Sequence, residues 1–600
     1  MADLQNQTWA RGTLDPMLLA VIAKRLDSVV REMTHTLFRV GRSALINTSR
    51  DFSCAITTAD CELLTAAEGL PIHCAGSDLL AAAMQRFHGD TIREGDAFLH
   101  NDPYNGNTHH ADYSVLVPVF CEGVHVFTAI AKAHMADCGN GQPTTYAGYA
   151  HDIYEEGALN FPCVRIQRDG CDIADIIRMC RARIRVPDLW YGDYQATLGA
   201  ARVGERRLKE LLDKYGRSLI AEFVAEWFDY SERRVAAALA QMPSGTGTAS
   251  GSHDPVERMP EGIPVNVTVT LRPDLGRAEV DLTQNIDCTP TGFNLSEACA
   301  RSAAIAGVLN VLPDPMPLNA GTFRRIDVRL RENCHVGVPP ATVSCSVATT
   351  NVAERVISVT HLAIAQLAPG AGLAEGGVGM GPGMGVISGL DARRGDAPYV
   401  NQLFLSMYGG PGSAREDGWI AFGVPVDGGL MYRDSVEIAE QKYPMIVDEL
   451  RLLTDSEGAG TYRGAPGSRV TLGPTDRPMT IAYLTDGFAN PPRGVHEGQG
   501  ARRHDTFVRT AAGAEIAVPK IGQIVLGPGD RIIEVGGGGG GFGAPGWRDP
   551  DRVLRDVRDG LVSPERARDV YKVVCVDGFG AQPVVDELAT RELRAAVENG

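Results

Sequence analysis

Several signatures are missing from this chain, and each absence excludes something. No run of 18 apolar residues occurs, so no membrane-spanning helix is expected. The first ten residues, M-A-D-L-Q-N-Q-T-W-A, lack a basic stretch followed by an apolar one. No secretory signal is therefore expected, and the cytoplasm is the expected compartment. The 13 cysteines include no Cys-x-x-Cys pair, and their number is odd. Reduced, mostly buried thiols are expected rather than a disulfide framework. The chain also lacks G-x-x-x-x-G-K-[S/T], G-x-S-x-G and H-E-x-x-H. No P-loop ATP site, hydrolase nucleophile elbow or zinc-protease helix is expected on it. Basic excess is missing as well. The formal net charge is −17, which argues against nucleic acid as a partner. The glycine run Gly536 to Gly541 could pass for a nucleotide loop, but F-G-A-P-G-W follows it. A phosphate loop needs a helix N-terminus at that point, so the run is expected to allow close backbone packing instead.

What is present is concentrated in Asn101 to Gly139. Polar, turn-rich residues lead into an apolar strand, Ser114 to Phe120. A turn at Cys121-Glu122-Gly123 and a second strand from Val124 to about His134 follow. This reads as a β-hairpin. With the turn centred on Glu122-Gly123, His134 is expected opposite Ala111. His109 then shares a face with His134, and His110 points away. Asp112 joins them if the segment before Ser114 is looped. Two imidazoles and one carboxylate suit a divalent metal with an open coordination position, and zinc, manganese and iron all remain open.

The wording N-D-P-Y-x-G-x-T-H-x-x-D (Asn101 to Asp112) resembles the hydantoinase B/oxoprolinase family. So do Val115 to Phe120, A-H-x-A-D-C-G (Ala133 to Gly139), P-T-T-Y (Pro143 to Tyr146) and Y-E-E-G (Tyr154 to Gly157). The resemblance implies a metal site on His109, Asp112 and His134. Asp137 is the candidate to orient a ligand or shuttle a proton, and Asp102, Tyr146, Glu155 and Glu156 are further catalytic candidates. D-F-S-C-A-I (Asp51 to Ile56) and L-P-I-H-C-A-G (Leu70 to Gly76) also resemble family segments, which puts His73 near the site. The family implies that ATP and magnesium bind on a separate A-type partner subunit. This chain would then act on the phosphorylated small-molecule substrate, as part of a hetero-oligomer without membrane or nucleic-acid partners. Hydrolysis of a cyclic amide such as a hydantoin or 5-oxoproline is the first expectation. ATP-dependent ketone carboxylation is the alternative, and a non-catalytic scaffold with a structural metal is the second alternative.

Six hundred residues suggest two to four domains. The expected class is α+β and multi-domain. Residues 1–242 form an N-terminal α/β domain carrying the metal site, and 243–262, rich in Gly, Ser, Thr and Pro, form a linker. Residues 263–369 make an α/β middle domain, 370–546 a Gly-rich, mainly β domain, and 547–600 a helical segment. Helices are expected over Pro16 to Asn47, Asp188 to Met242, Ser296 to Val311 and Asn351 to Leu367.

Overall fold

A computed structural model describes residues 14–66, 69–577 and 582–598. The first expected helix is present as α1 (Pro16–Val40), with the Asp15 carboxylate accepting from the Met17 N–H at its start; it ends before Gly41 rather than running to Asn47, where a separate turn of helix covers Ala44–Asn47. Seven of its apolar residues are buried along one side. Then come β1 (Phe52–Thr58), β2 (Leu63–Ala66), the single-turn helix α2 (Pro71–Cys74), α3 (Ser77–His88) and β3 (Ala97–His100). The expected hairpin is β4 (Asp112–Cys121) and β5 (Val124–His134), followed by β6 (Val164–Arg168) and β7 (Cys171–Asp172). These strands make one antiparallel sheet in the order β2-β1-β5-β4-β3-β6-β7. The long helical stretch is two helices, α4 (Pro187–Tyr215) and α5 (Arg217–Leu239). They are separated at Gly216, whose φ of 78° a side chain would resist.

Helices α1 and α4 cover one face of the sheet, and Leu80 and Met84 of α3 pack on the other. β1 is buried along its whole length, and β4 and β5 over most of theirs. Chemistry-bearing side chains at the ends of these strands are therefore shut away from bulk water.

The expected linker is not a linker. Its first half forms β8 (Gly245–His253), which pairs antiparallel with β9 (Ile263–Arg272) over its full length. Its small residues let it lie tight against a helix: a Cβ at Gly247 would sit 2.0 Å from the Ala363 carbonyl oxygen. Composition alone marked a breaker where packing required small side chains. β10 (Arg277–Asp281), α6 (Glu297–Leu309), β11 (Ile326–Arg329) and α7 (Val352–Ala365) complete this layer, whose sheet order is β11-β10-β9-β8. β9 alternates buried and half-buried residues, and α7 lies on its buried face.

The Gly-rich region is mainly β, as expected. It holds β12 (Gly379–Met380), β13 (Val386–Asp391), β14 (Ala397–Gln402), β15 (Met445–Leu452), β16 (Ser468–Pro474) and β17 (Met479–Thr485). β18 (Asp505–Arg509), β19 (Glu515–Ala517), β20 (Ile521–Leu526) and β21 (Arg531–Val535) follow, giving two further sheets. The Gly536 to Gly541 run threads between backbone segments of its own chain. Gly539 N–H donates to the Ala465 carbonyl and Gly541 N–H to the Gln499 carbonyl, and a Cβ at Gly539 would lie 2.0 Å from the Gly410 oxygen. Short helices at Pro550–Arg558, Pro564–Asp569 and Glu587–Glu598 follow, with a two-stranded sheet between the last two. No described helix is long and apolar enough to cross a membrane.

Candidate metal centre

The β4–β5 turn has positive φ at both Glu122 (53°) and Gly123 (76°), as a two-residue hairpin with right-handed strand twist requires. From Cys121↔Val124 to Phe120↔His125 the register is the expected one. It then shifts by one residue between Val119 and Phe120, at a bulge. The partner of His134 is therefore Asp112 rather than Ala111, and Asp112 opens the strand rather than sitting in a loop. The bulge puts carboxylate and imidazole directly opposite each other on one face. His109 is brought in by a tight turn in which Asn107 Nδ2 donates to both the His109 and Asp112 carbonyls, each at 2.8 Å. His110 points away, as expected, and binds Glu156 through Nδ1 at 2.7 Å.

Two residues arrive from outside the hairpin. β1 flanks β5 on its other side, and the His134 N–H donates to the Asp51 carbonyl. The Asp51 carboxylate thereby lies 3.7 Å from His134 Nδ1. α2 delivers His73, whose Nε2 is 3.1 Å from Asp112 Oδ2 and 3.9 Å from Asp51 Oδ1. All five side chains are buried. Asp51 carries the most specific signal the sequence reading passed over. It begins the D-F-S-C-A-I segment, but nothing local shows that its strand pairs with the one ending at His134.

The hydrogen bonds around the cluster decide which atoms face inward. His109 Nδ1 lies 2.8 Å from the Ser346 carbonyl, which can only accept, so Nδ1 carries the proton and Nε2 a lone pair. That Nε2 is 3.2 Å from Asp112 Oδ1, and neither atom has a hydrogen-bond partner among the described residues. His134 Nε2 is 3.1 Å from Thr145 Oγ1, and Nδ1 faces Asp112 Oδ1 at 3.3 Å. The other carboxylate oxygen, Oδ2, is held by the Thr108 hydroxyl and His73. The lone-pair Nε2 of His109, Nδ1 of His134 and Oδ1 of Asp112 thus converge on a common point, and two of the three, His109 Nε2 and Asp112 Oδ1, face it as acceptors without a partner among the described residues. Buried acceptors facing one another are unfavourable unless something positive lies between them. A divalent cation would meet that demand: His109, Asp112 and His134 form one group that could hold it, and Asp51, His73 and Asp112 form a second that shares Asp112. His73 and Thr108 would then orient Asp112.

The electrostatics agree. Burial alone would raise Asp112, but the His73 and His109 imidazoles hold its carboxyl well below the usual range. Burial, and repulsion from Asp112, push Asp51 well above it. Burial brings His134 down to about 4 and lowers His73. It would lower His109 too, but attraction to Asp112 outweighs it and the net shift is upward. The cluster attracts one positive charge, which a proton on His109 or a metal can supply.

Tyr146 belongs to this assembly. Its ring stacks on His134 at 5.2 Å between centroids and lies 5.5 Å from His109. It also lines a cleft of about 660 Å³ bordered by Glu155, Arg258, Phe293 and Lys520. Glu155 sits on this rim, paired with His151 and Arg258, which hold it at about 2. The remaining candidates are engaged elsewhere. Asp137 accepts from the Gly139 and Arg185 N–H groups and the Arg185 guanidinium, so it is part of a loop clamp rather than the cluster. Asp102 caps the turn at Pro103–Asn105. Glu156 bridges His110 and Ser344. Neither His110 nor Asp137 reaches the cluster; Asp51 does, with its carboxylate 3.7 Å from His134 Nδ1.

Fold and site together define an α+β, multi-domain protein with a buried histidine–aspartate centre at the ends of a hairpin and a flanking strand. The chain belongs to the hydantoinase B/oxoprolinase family, whose model matches residues 15–545. It is 32% identical to the β subunit of caprolactamase from Pseudomonas jessenii, over 98% of this chain and all of that one. It is 26% identical to the δ subunit of acetophenone carboxylase from Aromatoleum aromaticum, over 93% of this chain and 86% of that one. The crystal structure of ATP-dependent caprolactamase from Pseudomonas jessenii superposes with a TM-score of 0.85 at 31% identity, covering 97% of this chain and all of that one. Nucleotide-free acetone carboxylase shares the fold, with a TM-score of 0.83 at 19% identity over 98% of this chain and 83% of that one. The family thus includes subunits of ATP-dependent amide hydrolases and of carboxylases.

Proposed function

We propose that this chain is the metal-binding B-type subunit of an ATP-dependent cyclic amide hydrolase. It would work in the cytoplasm with an A-type partner that binds ATP and magnesium and phosphorylates the amide oxygen. The observation that carries this reading is the buried, unpartnered pair His109 Nε2 and Asp112 Oδ1. A zinc or manganese ion held there would supply Lewis acidity for an oxygen of the activated amide and for water. The chain's own groups do the rest. Ser346 and Thr145 fix the ring orientations of His109 and His134, and His73 and Thr108 direct Asp112 Oδ1 inward. Burial and the two carboxylates keep the Tyr146 phenol neutral, so it is an apolar wall and a hydroxyl donor between cluster and cleft. The similarity to a lactam-hydrolysing relative over the whole chain supports hydrolysis. The P-T-T-Y and Y-E-E-G wording favours a ketone carboxylase as the second reading.

The test is co-expression with the A-type partner and assay of ATP-dependent opening of lactams, hydantoins and 5-oxoproline. The wild-type chain is expected to carry about one zinc or manganese and to support ring opening, and His134→Ala to lose both. Full metal content in that variant would remove the ligand assignment. Incorporation of labelled bicarbonate carbon into product would replace hydrolysis by carboxylation. Ring opening that survives complete metal removal would leave the metal a structural role only.

A further inference from the structure

A second cleft, of about 550 Å³, opens beside the cluster between α1 and residues 421–433. It shares wall segments with the metal centre. Arg50 and Phe52 flank Asp51, and Leu70 immediately precedes the helix that carries His73. Its character is opposite to that of the protein. In a chain of net charge −17, Arg31, His35, Arg50 and Arg433 line it, and no carboxylate does among the described residues. One of these guanidiniums is held in place and another is buried without a hydrogen-bond partner among the described residues. Arg50 has a left-handed backbone conformation (φ 61°) and is stacked between Phe38 and Tyr432, at 4.6 and 3.9 Å from the ring centroids. Stacking occupies the faces of a guanidinium and leaves its N–H edge for an anion. Arg433 has Nε and Nη2 buried without a hydrogen-bond partner among the described residues. The carboxylate that attracts it, Glu534, is committed to Tyr408 and the Gly383 N–H. Burial pushes Arg433 down to about 10. An unpaired buried guanidinium fork is a geometric match for a tetrahedral oxyanion.

We propose that this cleft binds a phosphate group, carried on the activated substrate or released from it, through the edges of Arg433 and Arg50. The inference rests on the reading that a phosphorylated substrate reaches this chain, and it gives that substrate's anionic end a place next to Asp51.

Titration calorimetry on the purified full-length chain, without partner or ATP, tests it with inorganic phosphate, acetyl phosphate and acetate as probes. The wild-type chain is expected to bind both phosphates saturably and acetate at least about tenfold more weakly. Arg433→Gln and Arg50→Gln are each expected to lose about tenfold or more in affinity, as for a charged hydrogen bond removed. Arg433→Lys, which keeps the charge but not the fork, should fall between. Tighter acetyl phosphate assigns the cleft to the activated substrate, and tighter inorganic phosphate assigns it to the released product. His134→Ala is expected to keep phosphate binding. Loss of binding in His134→Ala with retention in Arg433→Gln would move the anion to the metal centre and overturn the proposal. So would acetate binding as tightly as phosphate, or no saturable phosphate binding by the wild type. Neither result bears on ring opening, which is measured separately with the partner, so failure of the cleft and failure of the hydrolase reading are distinguishable.

Discussion

Replacing Asp51 with Asn tests whether the strand beside the hairpin completes the metal centre. The change keeps shape and removes charge. In the metal-free protein, burial and the neighbouring Asp112 carboxylate hold the Asp51 carboxyl well above its ordinary 3.8, which favours its protonated form. A cation that takes Asp51 as ligand must displace that proton. Each displaced proton makes the logarithm of apparent affinity rise by about one per pH unit. At pH values where that proton is still held, Asp51→Asn is therefore expected to lower that slope by about one. At pH 7 a neutral amide is the poorer ligand, and affinity should fall at least ~10–100-fold, which is ~1.4–2.8 kcal/mol. Stability of the metal-free protein moves the other way. A carboxyl raised in the folded state stabilises below its unfolded pKa, and that contribution is lost as pH rises toward the folded value. The neutral Asn lacks this loss, so the metal-free variant should melt no lower than the metal-free wild type at pH 7. Zinc titration against a competing chelator across this pH range, with thermal melts of chelator-treated protein, reads all three quantities. Unchanged affinity together with an unchanged pH slope would show that Asp51 is not a ligand and that three side chains hold the ion.

Two further perturbations concern the framework. At Gly539 a Cβ would lie 2.0 Å from the Gly410 oxygen and 2.5 Å from its carbon, atoms of backbone that cannot rotate aside. Gly539→Ala is expected to destabilise by more than the ~1–3 kcal/mol typical of overpacking. Gly513→Ala, at φ 85° with open space around it, should lose only about 1–2 kcal/mol. Equal melting temperatures for the two variants would remove the packing role of the glycine run. Glu354, at the start of α7, is raised by burial from 4.5 to about 8. The folded protein therefore holds a proton that the unfolded chain has released, and stability falls as pH rises between about 4.5 and 8. Glu354→Gln should flatten that decline by an amount on the order of a few kcal/mol, read from urea denaturation at both ends of the window. An unaltered slope would contradict it.

Much of the framework was legible because it rests on local rules. The capped start of α1, the period of α6 and α7, and the alternation of β9 are written in residue spacing. So is the hairpin, whose turn must fall where Glu122-Gly123 can take positive φ. The same wording pointed to His109, Asp112 and His134, and it separated His110 from them. It failed where a small residue has two uses: β8 reads as a linker because Gly, Ser and Thr break structure in isolation, and here they let a strand press against α7.

The sequence by itself thus determined most helices and strands and the hairpin, since periodicity and turn chemistry act over a few residues, and its family wording pointed to three residues of the candidate centre. Only the tertiary structure decided the rest. A bulge between Val119 and Phe120 sets Asp112 opposite His134, because one extra residue shifts every later pair. β1 brings Asp51 and α2 brings His73 from some 36 to 61 positions before Asp112 or His109, through strand pairing and burial that no local pattern records. Arg185, 48 positions after Asp137, takes that carboxylate out of the site. Long-range pairing settles which polar groups meet in the dry interior, and there the partner of each group fixes its proton, its charge and its chemistry.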